Sequence, residues 1–170
     1  MIIAFLVAFI AVIADILSKW AVVEYLKPLG SVALIEGILD LTYVENRGMA
    51  FGLLSGHRWV FMVFTVVLLI AIAAFLFYYR RDANLWLKIA CGLVMGGGIG
   101  NMIDRVSLGY VIDFIDFCAF DFWVWVFNVA DACVCVGVFM LAVYLIIDSI
   151  RCEREKKIIL EEDDFSEEDE

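Results

Sequence analysis

FWVWVFNVADACVCVGVFMLAVYLII, Phe122–Ile147, is apolar for long enough to cross a bilayer, yet it carries Asn128 and Asp131 near its start. A spanning helix needs about 20 apolar residues. An ionisable group inside such a run is expensive unless it is paired, wetted or used. Asn128 and Asp131 are three apart, so a helix presents them on one face. Working back along the chain, three more segments qualify: Leu85–Ile103, Val60–Tyr79 and Ile2–Val23. The first of the four lacks a basic start and a small-residue cleavage site, so it reads as a retained span and not as a cleaved signal peptide. The expected fold is therefore membrane all-α, a four-transmembrane-helix bundle with helices at about 2–23, 60–79, 85–103 and 122–147.

Composition agrees. The chain has 170 residues, 65% of them apolar, well above the roughly one half of soluble proteins. The net charge of −10 is misleading, because the last ten residues, EEDDFSEEDE, carry eight acids and leave the rest close to neutral. Such a block of like charge reads as a disordered tail from 161, at the end of a segment 151–170 outside the membrane. There is no basic surface for nucleic acid. The five cysteines, Cys91, Cys118, Cys133, Cys135 and Cys152, have no disulfide-framework spacing, and His57 is the only histidine. No metal site is expected.

Orientation follows from Lys and Arg near the helix ends. Arg80, Arg81 and Lys88 flank the connection after the second span, and Arg151, Arg154, Lys156 and Lys157 follow the fourth. Both termini are expected in the cytoplasm, with outward connections at 24–59 and 104–121. The first of these contains IEGILDLTYVENRGMAF (Ile35–Phe51), whose β-branched and aromatic residues predict short strands, hence a small extracytoplasmic β-containing loop region. The second, aromatic and acidic, is expected along the membrane surface. In the third span Gly92, Gly96 and Gly100 recur at every fourth position, a spacing that lets another helix approach closely.

Depth brings the polar residues together. At about 1.5 Å per residue, Asp15 lies roughly 20 Å up the first helix, Asn101 roughly 20 Å and Asp104 roughly 24 Å up the third, and Asp131 roughly 24 Å up the fourth. Against a core of about 30 Å, all fall in the outer third. Asp15 with Lys19, and Asn101 with Arg105, are four apart and share faces. Arg105 also reads as an interfacial anchor, and Asp104, just past the expected helix end, as a solvated or structural carboxylate. With no Ser–His pair and no zinc motif, the available chemistry is that of carboxylates. Two Asp sharing a site do not both ionise readily; the charged one activates water and the neutral one protonates an amide oxygen. Spacing alone leaves the partner of Asp131 open among Asp15, Asp104, Asp113 and Asp116. The competing class is a small proton- or ion-coupled transporter, which intramembrane Asp, Asn and Lys also mark. No repeated halves or paired broken helices support it.

Five segments occur in order: DILSK (Asp15–Lys19), NRGMAFG (Asn46–Gly52), GGGIGNMIDR (Gly96–Arg105), VIDF (Val111–Phe114) and FNVAD (Phe127–Asp131). Together they resemble the signal peptidase II family, the bacterial lipoprotein signal peptidases, over essentially Met1–Ile150. The resemblance implies an aspartic endopeptidase of the bacterial cytoplasmic (inner) membrane, with its active site near the outer face. It implies Asp113 and Asp131 as the catalytic pair, and Asp15, Lys19, Asn46, Asn101, Arg105 and Asn128 as residues that bind substrate or shape the site. It further implies cleavage of a prolipoprotein before its diacylglyceryl-modified Cys, contact with membrane lipid, no metal or cofactor, and inhibition by globomycin- and myxovirescin-type antibiotics. The enzyme is expected to act as a monomer. The acidic tail is a departure from the family core.

Overall fold

The structure, a computed structural model, describes residues 1–48, 58–79, 83–119 and 125–168. The Met49–Gly52 part of the NRGMAFG segment, His57, the Arg80–Arg81 pair and the expected Phe122 start of the fourth span lie outside the described residues. Four long apolar helices and one small sheet make up the fold. They are α1 (Ile2–Ala21), β1 (Ser31–Ile35), β2 (Leu39–Asn46), α2 (Arg58–Tyr78), α3 (Leu85–Ser107), β3 (Val111–Phe117), β4 (Val126–Phe127) and α4 (Val129–Glu168). A π-helical turn, Val22–Leu26, continues α1.

α3 is the hub. More than half of its spanning window, 56%, is buried, against 11% for α2, because α1, α2 and α4 all pack on it. In lipid, helices gain little from burying apolar surface against each other, so close backbone approach matters more. The α1 face supplies Ala4, Ala8 and Ala11, and α3 supplies glycines. A Cβ placed on Gly92 would lie 2.6 Å from the Ala4 carbonyl oxygen, and one on Gly96 2.7 Å from that of Ala8. On the opposite side Gly97 abuts the Ala130 carbonyl, and Gly137 of α4 accepts Val94. Other apolar side chains of α1, such as Phe5, Phe9, Ile10 and Leu17, face outward, as lipid contact requires.

The sheet is antiparallel throughout, in the order β1-β2-β3-β4. Of the strands expected in Ile35–Phe51, β2 lies there, whereas β1 ends at Ile35 and precedes the stretch; the two are joined by a turn at Gly37, whose φ of +72° favours glycine. Two expectations change. α3 runs to Ser107 and not to Ile103, because nothing breaks it before Gly109 (φ +85°), so Asp104 and Arg105 are helical residues. The second outward connection contains β3, a strand whose first four residues are buried and whose backbone pairs with β2. α4 starts at Val129 and not at Phe122, since Val126 and Phe127 pair with β3 before the helix begins. α4 then continues to Glu168 through the acidic stretch. Between Cys152 and Glu168 that segment contains no Gly or Pro and is rich in the strong helix formers Glu and Lys.

Candidate active site

The polar residues of α1, α3, β3 and α4 form one connected network. Lys19, 3% exposed, donates from Nζ to Asp15 Oδ2 at 2.7 Å, to Asp104 Oδ2 at 2.9 Å and to Asn101 Oδ1 at 3.2 Å. An ammonium has three donors, and here each has an acceptor. Asp15 uses its other oxygen to accept the backbone N–H of Ala130 at 3.0 Å, which ties the first helix to the start of the last. Gly100 leaves the space for this, since a Cβ there would lie 2.6 Å from Asp15 Oδ2. Asp104, expected to be solvated, is buried; besides Lys19 it accepts the Ile112 N–H at 3.1 Å, next to Asp113. The signal for its role was present in the sequence, as Asp104 is three residues after Asn101 on the same helix face.

Asn128 and Asp131 join at the mouth of α4. The Asp131 N–H donates to Asn128 Oδ1 at 2.9 Å, and the Asn128 N–H donates to Asp131 Oδ2 at 3.2 Å. This reciprocal arrangement is a capping box, with Asn128 before the helix and Asp131 in its first turn. The second oxygen of Asp131 accepts from Asn101 Nδ2 at 2.7 Å. Asn101 therefore turns its carbonyl to Lys19 and its amide to Asp131. Asn128, fully buried, donates from Nδ2 to Asp113 Oδ1 at 2.6 Å.

Asp113 arrives from the sheet. Its carboxylate accepts from Asn128 on one oxygen and from Asn46 Nδ2 at 2.7 Å on the other. Asn46 stands opposite Val111 in the β2–β3 register, so Asp113, two residues on, shares its face of the sheet. The Gly48 N–H holds Asn46 Oδ1 at 3.0 Å, which leaves the amide nitrogen to face Asp113. Burial pushes the Asp113 carboxyl up to about 7 against the pull of the Asn46 amide, and the neighbouring Asp131 adds to the push. Asp116 is an odd number of residues away on β3, on the other face, opposite Asp40. Of the four candidates for the partner of Asp131, the geometry brings Asp113 to it through the shared Asn128.

Arg105 bonds its own helix, from Nη1 to the Asn101 carbonyl at 3.2 Å, and its guanidinium lies 5.3 Å from the Phe61 ring centroid. It is close enough to Asp131, Asp113 and Asp104 to feel their charge. All eight residues singled out in the sequence thus lie in or beside one cluster. A buried carboxyl held half-protonated near neutrality beside a second carboxylate can serve as acid and base in amide hydrolysis.

Comparison with known proteins agrees. A family model described as signal peptidase (SPase) II matches residues 7–147. The chain is similar to the lipoprotein signal peptidase of Caldanaerobacter subterraneus subsp. tengcongensis, 44% identical over 84% of this chain and 93% of that protein. It is also similar to those of Symbiobacterium thermophilum (42% identical, 82% and 91% covered) and Halothermothrix orenii (39%, 83% and 93%). A bacterial membrane enzyme structure obtained by the in meso method at 2.3 Å superposes with a TM-score of 0.75 at 34% identity, covering 86% of this chain and 88% of the other. A second, at 1.9 Å, gives 0.73 at 35% identity over 84% and 91%. Ion-coupled transport is set aside: with four apolar spanning helices and a matched family over most of its length, the chain belongs to signal peptidase II, the multi-pass membrane aspartic peptidases that process lipoproteins.

Proposed function

We propose that Asp113 and Asp131 are the catalytic pair of this lipoprotein signal peptidase, and that it cleaves a prolipoprotein before a diacylglyceryl-modified Cys. The observation that carries this is the buried Asn128, which donates to Asp113 while exchanging hydrogen bonds with Asp131. Asp131 acts as the charged carboxylate that takes a proton from water, and Asp113 holds the proton given to the scissile carbonyl oxygen. Asn46, Asn101 and Asn128 hold the pair in place, Lys19 with Asp15 fixes α1 to the site, and Arg105 offsets negative charge that develops on the reacting amide. No metal or cofactor enters this chemistry.

Both termini face the cytoplasm, by the Arg151, Arg154, Lys156 and Lys157 cluster in the C-terminal half of α4. That orientation puts the carboxylates in the outer leaflet, where a diacylglyceryl group would anchor the substrate's cleavage site. The enzyme acts as a monomer, and globomycin- and myxovirescin-type inhibitors occupy the same site. The test is cleavage of a diacylglyceryl-modified prolipoprotein in detergent by wild type, Asp113→Asn, Asp131→Asn and Asp116→Asn, with folding checked by thermal melting. Loss of activity by at least about 100-fold in the first two, with Asp116→Asn active, is the expected result. Full activity in well-folded Asp113→Asn would exclude the pair.

A further inference from the structure

α2 and α4 both pack on α3, and the cleft between them is lined by none of the residues of the carboxylate network. It contains two hollows. One, of about 340 Å³, is apolar and lined by Ala71, Ile72, Phe75, Cys91, Leu141 and Leu145. The other, of about 410 Å³, is polar at its mouth, with Asn84, Trp86, Asp148 and Arg151 beside Tyr79 and Tyr144. Phe75 lines the first and Tyr79 the second, and their rings lie 4.7 Å apart. Arg151 is twenty residues beyond Asp131 along α4, about 30 Å, which is one hydrocarbon thickness. The polar hollow therefore lies at the membrane boundary remote from the carboxylate network, and the apolar one lies nearer the bilayer centre.

The polar groups there are poised and not consumed. Asp148 and Arg151 are three apart on one face, both exposed, and among the described residues neither forms an ion pair. Trp86 donates Nε1–H to the Met140 carbonyl at 2.9 Å, which fixes the indole as a wall. Asn84 uses its Oδ1 to cap α3 and keeps its amide nitrogen as a donor. One cation and one anion among the described lining residues, with fixed aromatic walls at an interface and an apolar hollow beside them, match a molecule with a phosphate, an ammonium and an acyl chain.

We propose that this cleft binds a glycerophospholipid with an ethanolamine headgroup. Its phosphate meets the Arg151 guanidinium and Asn84, its ammonium N–H groups meet the Asp148 carboxylate, and one acyl chain fills the apolar hollow along Ile72 and Leu141. A choline headgroup has no N–H to donate to Asp148, and a glycerol headgroup carries no cation for it, so both bind less well. In the orientation proposed above, the lipid comes from the inner leaflet.

The experiment is native mass spectrometry and thermal melting of the full chain in detergent, after delipidation. Phosphatidylethanolamine, phosphatidylcholine, phosphatidylglycerol and inorganic phosphate are added separately. One bound phosphatidylethanolamine and a rise in Tm larger than the other three give are expected. Asp148→Asn and Arg151→Gln each weaken its retention about tenfold, the loss expected for one charge-assisted contact, without moving the Tm of the lipid-free protein. Ala71→Trp, which fills the apolar hollow, abolishes retention while cleavage activity in detergent persists. Equal retention of all three lipids, an equal effect of phosphate alone, no adduct, or unchanged retention by both charge variants overturns the proposal.

Discussion

Asp113 is an acid whose burial favours its neutral form, and that has two consequences with definite sign. An aspartate normally loses its proton near pH 3.9, whereas this one does so at about 7. Between those values the folded protein keeps a proton that the unfolded chain has released. Stability therefore falls as pH rises from about 4 to 7, by roughly a few kcal/mol at most, and is level beyond. Melting temperatures measured from pH 5 to 8 should show this decline in wild type and lack it in Asp113→Asn. In the proposed mechanism the same proton is needed, so cleavage should decline on the alkaline side with an apparent midpoint near 7 that belongs to the pair. The Asn46 amide pulls the Asp113 carboxyl down. Asn46→Ala removes that pull, and the alkaline limb should move up by roughly one pH unit. A limb that stays put would show that Asn46 does not act on Asp113.

At the scale of elements, the glycines of α3 are not equivalent. A Cβ on Gly96 would press on the α1 backbone, and one on Gly100 on the Asp15 carboxylate. Gly98 has only Thr65 and Leu69 within reach, at an ordinary 3.5 and 3.6 Å. Gly96→Ala should therefore cost about 1–3 kcal/mol of stability, Gly98→Ala close to nothing, and Gly100→Ala should lower activity as well as stability. Thermal melting with parallel cleavage assays separates the three. The spacing of those glycines was legible in the sequence, as were the four spans and the depth at which Asp15, Asn101 and Asp131 converge. The sheet was legible only in part. β2 alternates polar and apolar residues, but VIDFIDF has apolar residues on both faces, so its periodicity gave no face to bury. The position of Asp113 depends on pairing between β2 and β3, which no local pattern specifies. The true start of α4 was hidden for the same reason: Val126 and Phe127 are as apolar as a span, and their pairing with β3 is a tertiary choice.

For the whole molecule, the proposed orientation places exposed Cys118, after β3, outside and exposed Cys152, on α4, inside. A membrane-impermeant maleimide added to intact cells should label a variant retaining only Cys118 and spare one retaining only Cys152 until the cells are lysed. The reverse pattern would invert the topology. α4, at 40 residues, is about 60 Å long and so extends about one bilayer thickness beyond the hydrocarbon. Removing residues 161–170, far from Asp131, should leave cleavage unchanged in the same detergent assay. The contact between Asp15 and the Ala130 N–H joins residues 115 apart in a chain of 170. During synthesis α1 enters the bilayer long before α4 exists, carrying its own counter-ion four residues away in Lys19. Its charge is thus neutralised for insertion without help, while the site stays open on one side until the final helix arrives. On the proposed assignment of Asp131, the newborn protease holds an incomplete carboxylate pair and ripens only when its last span threads into place.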